Sequence, residues 1–223
     1  MTLINSNNLK DRDLLVICPT RERPEKLARM YDSFVKTKFG RTSLILCVDV
    51  DDATEYDYNC TISVEPHKNN TQIINDIFYK FPDYKYYSVT NDDFIYKTMS
   101  WDTMLMQKGI NFGEDGTNRK FPVTSVIDGD IVRALGWLQM PALEYLYGDT
   151  VWSILGYQAD CLKYNKDVII EHDHFLFGAK SDNIYEKTNH KDQYTKDNNA
   201  FANWLRDNFQ NDLLKIKRAY DKT

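Results

Sequence analysis

The chain has 223 residues, 42% of them hydrophobic and 13% aromatic, with a formal net charge of −5. That length suits one large domain, or one domain plus a C-terminal extension, and the acidic balance argues against a surface that grips polyanions throughout. No apolar run approaches the roughly 18–20 residues that cross a bilayer, and the opening stretch MTLINSNNLKDRD lacks the apolar segment of a signal peptide, so a cytoplasmic location is expected.

Residues 14–18 (LLVIC) form a short, fully apolar run, the pattern of a buried strand. Pro19 and Pro24 bracket the polar turn Thr20-Arg21-Glu22-Arg23. Beyond Pro24, Leu27, Met30, Tyr31, Phe34 and Val35 recur at three- and four-residue spacing and predict an amphipathic helix with proline near its first turn. Residues 43–48 (SLILCV) read as a second buried strand that runs into Asp49, Asp51 and Asp52, and residues 62–64 as a third. Ile73, Ile74, Ile77 and Phe78 share one side of residues 69–81, a helix stopped by Pro82. Residues 84–89 are the next strand and lead directly into Thr90-Asn91-Asp92-Asp93.

The second half is less regular. Residues 109–120 (GINFGEDGTNRK) carry three glycines and are expected to form a loop, one able to close over a ligand. Residues 123–127 read as a strand, 137–147 as an apolar stripe belonging to the core, and 151–162 as a helix following Gly148-Asp149. A strand at 168–170 ends in Glu171-His172-Asp173-His174. Residues 179–199 are polar and expected to be loosely ordered, after which Phe201, Trp204, Leu205, Phe209, Leu213 and Ile216 predict one closing amphipathic helix. Cys18 and Cys47 fall inside strand runs, Cys60 and Cys161 stand alone, and without a C-x-x-C pair neither a zinc knuckle nor a thioredoxin-type motif is available.

Strands alternating with helices in this order predict an α/β domain with a mainly parallel sheet. Such sheets bind ligands beyond the carboxyl ends of their strands. Three polar clusters, TRER, DVDD and TNDD, follow strands here, so the topology gathers them on one edge. Adjacent carboxylates such as Asp92 and Asp93 repel, and their uncompensated burial costs of order several kcal/mol. A divalent cation relieves that repulsion, and hard oxygen ligands suit Mg²⁺ or Mn²⁺, which keep water and substrate phosphate in their other positions. On residue type alone the same run also reads as a solvated Asx turn.

These segments resemble family-2 glycosyltransferases of the GT-A fold. CPTRERPEKL is similar to that family's first-strand signature, LILCVD to the second strand with its base-recognising aspartate, and TQIINDIF to the helix beside the ribose. TNDDFIY is similar to its Asp-x-Asp-type motif, and YGDTVW to the element that holds the catalytic base. The likeness spans roughly residues 12–175. It implies a GT-A-like domain over residues 1–178, with a mixed, mostly parallel Rossmann-type sheet, and a polar linker plus C-terminal amphipathic helix over 179–223.

Carried over, the resemblance places Thr20, Arg21, Asp49 or Asp51, Asn75 and Asp92 around a nucleotide-sugar, UDP-linked first of all, and Asp93 on Mn²⁺ or Mg²⁺. It makes Asp149 the base that takes the acceptor's proton, opposite the leaving group and therefore with inversion; on position alone Asp149 also reads as a helix N-cap. The motif's first position is Asn91, so the cation needs further ligands. His172 and His174, two apart on a strand and pointing to one face, are the candidates. Small enzymes of this kind include ones that glycosylate hydroxymethylated bases, so DNA is one possible acceptor by resemblance. A non-catalytic nucleotide-sugar or glycan-binding module is the other reading, and a sugar nucleotidyltransferase, which needs a glycine-rich loop where CPTRERPEKL has none, fits less well.

Overall fold

The computed structural model describes residues 2–5, 9, 12–117, 120–173 and 190–222. Its strands are β1 (Thr2–Ile4), β2 (Leu14–Pro19), β3 (Thr42–Asp49), β4 (Thr61–Glu65), β5 (Tyr86–Val89), β6 (Phe94–Tyr96), β7 (Ile110–Glu114), β8 (Ser125–Asp128) and β9 (Leu162–His172). Between and after them lie α1 (Pro24–Thr37), α2 (Asn70–Lys80), α3 (Trp101–Leu105), α4 (Gly129–Leu135), α5 (Gly148–Gln158), α6 (Lys191–Asp207) and α7 (Phe209–Lys222).

Apolar residues run through β2 and β3 without polar alternation because both faces of these strands are covered. Leu15, Ile17, Ile45 and Cys47 enter one core, while Leu14, Val16, Cys18, Leu44, Leu46 and Val48 enter the other. α1 buries Leu27, Met30 and Phe34 in the second core, and α2 buries Ile73, Ile74, Ile77 and Phe78 in the first. Pro24 opens α1, where a missing N–H costs nothing, and Asn69 and Gln72 form a reciprocal capping box on α2. All four cysteines are free and buried.

The sheet order is β1-β4-β3-β2-β5-β8-β7-β9-β6. Strands β4, β3, β2 and β5 run parallel and form the Rossmann-type centre. β1 and β8 are antiparallel to their neighbours on either side, and β7 is antiparallel to β8 but parallel to β9. β9 is long enough to serve two partners: residues from Leu162 to Ile169 pair with β7, and Ile170, Glu171 and His172 pair with β6. This is the α/β architecture that the strand-helix alternation predicts, with C-terminal helices added. No helix among the described residues is long and apolar enough to cross a membrane.

Three expectations are corrected. Residues 110–114 of the expected loop are strand β7, inside the sheet. Gly113 belongs there because a Cβ would lie 2.5 Å from the Val168 carbonyl oxygen, so this glycine permits close packing rather than motion. The polar stretch 179–199 is helical from Lys191 onward, since α6 is anchored by buried polar residues, Gln193 and Asp197, that leave no apolar periodicity to read. The single closing helix is two, α6 and α7, broken at Asn208. Trp204 Nε1 bridges the break to Asp212 Oδ2 at 3.0 Å, and Trp204, Leu213 and Ile216 join the first core.

Candidate functional site

Because β2, β3 and β5 are parallel, their carboxyl ends share one edge, and the residues that follow them meet there. A cleft of about 800 Å³ opens at this edge. It is lined by Thr20, Arg21 and Arg23 after β2, Asp49 at the end of β3, Asp92 and Asp93 after β5, Asp149 at the start of α5 and His172 at the end of β9. Asp51 and Asn75 do not line it, and His174 lies outside the described residues.

At one end of the cleft, Arg21 Nη1 donates to Asp49 Oδ2 at 2.6 Å and to Asp51 Oδ1 at 2.8 Å. Asp51 is a largely exposed clamp on that guanidinium. Asp49 is buried, its Oδ2 also faces His67 Nδ1 at 3.1 Å, and its Oδ1 has no hydrogen-bond partner among the described residues. A buried carboxylate oxygen left unsatisfied beside an open cleft is a ready acceptor for a ligand N–H. Asp52 holds the turn between these groups, accepting from the Glu22 N–H at 3.0 Å and from the Tyr56 hydroxyl.

In the centre, both oxygens of Asp92 are engaged. Thr20 Oγ1 donates to one at 2.8 Å and Arg23 Nη1 to the other at 3.1 Å, so Asp92 ties the end of β5 to the turn after β2. Burial raises its carboxyl above the usual range; Arg23 opposes the shift and neighbouring Asp93 adds to it. Asp93 goes the other way. Burial works against its charge, but the His172 ring, with Arg23 and Lys26 further out, outweighs that and holds the carboxyl below the usual range.

The pairing of β9 with β6 makes the Asp93–His172 pair. His172 lies opposite Phe94 in the β6–β9 register, its ring stacks on Phe94 at 4.5 Å, and the Asp173 N–H donates to the Asp93 carbonyl at 2.8 Å. His172 Nε2 thereby stands 3.4 Å from Asp93 Oδ1, a buried oxygen with no hydrogen-bond partner among the described residues. A carboxylate oxygen and an imidazole nitrogen this close together are donor types a divalent cation takes. Among the described residues no group of three or more His, Cys, Asp or Glu could hold an ion unaided. The pair would supply two ligands to such a cation and leave its other positions to groups from outside the chain.

Asp149 sits in the first turn of α5, and the cap position belongs to Tyr147, in the left-handed conformation at φ 67°; this corrects the N-cap reading. The Asp149 Oδ1 accepts from its neighbour's Thr150 N–H at 2.6 Å. Desolvation raises its carboxyl above the usual range, and the Thr150 bonds, with a smaller contribution from nearby His172, offset part of the rise.

The irregular segment that delivers Asp149 is clamped at both ends. Asn75 Nδ2 donates to the Gln139 carbonyl at 2.7 Å while its Oδ1 accepts from the Leu138 and Gln139 N–H groups. At the other end the fully buried Asp197 of α6 accepts from the Glu144, Tyr145 and Leu146 N–H groups at 2.8–3.0 Å. Gly148 follows at a point where a Cβ would meet the Gln139 side chain at 2.3 Å. Asp197→Ala leaves three N–H groups without their acceptor. A urea melt is expected to show a loss of about 2–4 kcal/mol, and an unchanged midpoint would show that the clamp contributes nothing.

Arg23, His67, Gln193 and Asp197 are the site residues that sequence reasoning missed. Arg23 stood in the quoted TRER turn with no role attached. Asp197 and Gln193 carried no local signal, because the partners of Asp197 lie some fifty residues away and Gln193 faces the cleft.

No protein-family profile matches the sequence. No curated protein matches it either. The fold does match solved structures. A mannosyltransferase from Pyrobaculum calidifontis, in complex with GDP-Man and Mn²⁺, superposes with a TM-score of 0.60 at 10% identity over 96% of this chain and 75% of that one. Glucosyl-3-phosphoglycerate synthase from Mycobacterium tuberculosis, in complex with Mn²⁺, UDP and phosphoglyceric acid, gives 0.56 at 8% identity over 91% and 80%. S. aureus TarS 1–349 in complex with UDP gives 0.55 at 10% identity over 72% of this chain, which spans 60% of that structure. At these identities the likeness is one of architecture, and the chain shares the GT-A fold of these glycosyltransferases.

Proposed function

We propose that this chain is a glycosyltransferase that moves a sugar from a nucleoside-diphosphate sugar, uridine-linked first of all, to an acceptor hydroxyl with inversion. The observation that carries the proposal is the meeting, in one cleft, of three carboxylates: Asp49, whose Oδ1 has no hydrogen-bond partner among the described residues, Asp93 beside His172, and Asp149, whose carboxyl desolvation raises above the usual range. The UDP held by two of the structurally similar enzymes supports the choice of nucleotide.

In this reading Asp49 Oδ1 accepts the ring N–H of the base, with Arg21 and His67 fixing its other oxygen. Asp92 keeps the turn after β2 in place. Asp93 and His172 would hold Mn²⁺ or Mg²⁺, which when bound supplies positive charge beside the diphosphate leaving group. Asp149 takes the proton of the acceptor hydroxyl as its oxygen forms the new bond to the anomeric carbon, and the bond from that carbon to the diphosphate breaks on the opposite side.

The test is a panel of nucleotide-sugars incubated with Mn²⁺ or Mg²⁺, with released nucleotide read by mass spectrometry and nucleotide affinity by calorimetry. Nucleotide-sugar binding and turnover are expected for one base. Asp49→Ala is expected to weaken that nucleotide about 10- to 100-fold, the value of a hydrogen bond to a charged group. Binding without turnover on any hydroxyl acceptor would favour a non-catalytic module, and no binding at all would refute the proposal.

A further inference from the structure

One buried group in the cleft is used by none of these steps. Gln193, on the first turn of α6, lines the cleft with only 7% of its surface exposed, and its Nε2 has no hydrogen-bond partner among the described residues. Its position is not accidental. Asp197, one helical turn later on the same face, pins α6 to the backbone of residues 144–146, so Gln193 is held against the segment that delivers Asp149.

The neighbours specify what that amide would meet. The Gln193 N–H donates to His190 Nδ1 at 3.3 Å, so a neutral His190 carries its proton on Nε2, and both residues offer donors at the positive end of α6. Glu144, whose Oε1 accepts from Lys196 Nζ, and Asp149 line the same cleft as acceptors, and Tyr145 and Tyr147 add aromatic surface. Donors, acceptors and aromatic faces together match a polyhydroxylated ring, each hydroxyl of which both gives and takes a hydrogen bond. A polyanion fits this part of the cleft less well, since its phosphates would meet Asp149 and Glu144, the latter paired with Lys196, in a chain of net charge −5.

We infer that the first turn of α6 completes the cleft as a subsite for a carbohydrate acceptor, with the Gln193 side-chain amide donating a hydrogen bond to one of its hydroxyls. This names the acceptor class and rests on the glycosyltransferase reading above.

The test is binding to the whole chain, read by saturation-transfer NMR and calorimetry. The probes are UDP with Mn²⁺, a panel of methyl glycosides of common hexoses added to the UDP-saturated protein, and a duplex oligonucleotide containing hydroxymethylcytosine. Two variants accompany the wild type. Gln193→Met keeps the shape and removes all hydrogen bonding; Gln193→Glu keeps the shape and the acceptor but removes the donor. Neither breaks an existing side-chain bond, so melting temperatures check that both fold.

At least one glycoside is expected to bind. Both variants are expected to weaken it about tenfold while UDP affinity stays within about twofold. UDP binding by the wild type with no glycoside bound, glycoside affinity unchanged in both variants, or binding of the oligonucleotide only would each overturn the inference alone. So would an equal loss of UDP affinity, which would assign the amide to the nucleotide. A wild type that binds no nucleotide overturns the underlying reading, and this one with it.

Discussion

Asp149→Asn is expected to keep nucleotide affinity within about threefold and to lower the transfer rate about 10²- to 10⁴-fold, the span of a single general base. The asymmetry follows from where the residue stands. The nucleotide contacts proposed for Asp49 and Arg21 arise from β2 and β3, and Asp149 comes from α5 on the far side of β5 and β8. The amide keeps the shape and the hydrogen bond from the Thr150 N–H but cannot take a proton.

The pH dependence sharpens the test. A base works as its carboxylate, so kcat/KM is expected to fall as pH drops through the Asp149 pKa. Because desolvation raises that pKa, the acid limb should lie above the range of an ordinary aspartate and vanish in Asp149→Asn. Stability runs the opposite way. A carboxyl whose folded pKa exceeds its unfolded one favours the fold most below the unfolded pKa and loses that contribution as pH rises through the folded value. Asp149→Asn should therefore melt higher than wild type at neutral pH, with the gap closing on acidification. Transfer that survives the substitution would remove Asp149 from the reaction.

How far such a site can be read from sequence depends on where its partners lie along the chain. The runs LLVIC and SLILCV are legible because strands covered on both faces must be apolar at every position, and TRER, DVDD and TNDD then fall on one edge by topology alone. β7 was hidden by its glycines, which read as a loop until Val168 is seen pressed against Gly113. β9 was hidden in part because its first residues, LKYNKD, are largely polar and none of them is buried. The roles of Asn75, Asp197 and Gln193 depend on backbone and cleft groups that sequence spacing cannot place. Buried polar residues leave no periodicity, so the clamp that aims Asp149 carries no pattern at all.

The β6–β9 pairing also decides the second large effect. Mn²⁺ is expected to raise the melting temperature and the UDP affinity of the wild type, EDTA to reverse both, and Asp93→Ala to abolish both responses. Mass action sets the size: an ion at 100 times its dissociation constant stabilises the state it binds by about 2.7 kcal/mol, and a variant that has lost about 10²-fold in affinity retains almost none of it. His172→Ala should lose part of the response, since waters can replace one neutral ligand more easily than the carboxylate.

The double variant separates a shared ion from mere proximity. If Asp93 Oδ1 and His172 Nε2, 3.4 Å apart, ligate one cation, Asp93→Ala/His172→Ala should respond no differently from Asp93→Ala alone, so that the two losses are far from additive. If the two residues only form an ion pair, Mn²⁺ should act equally on wild type and both single variants. An undiminished Mn²⁺ response in Asp93→Ala would place the cation elsewhere and leave the Asp93–His172 pair a structural contact.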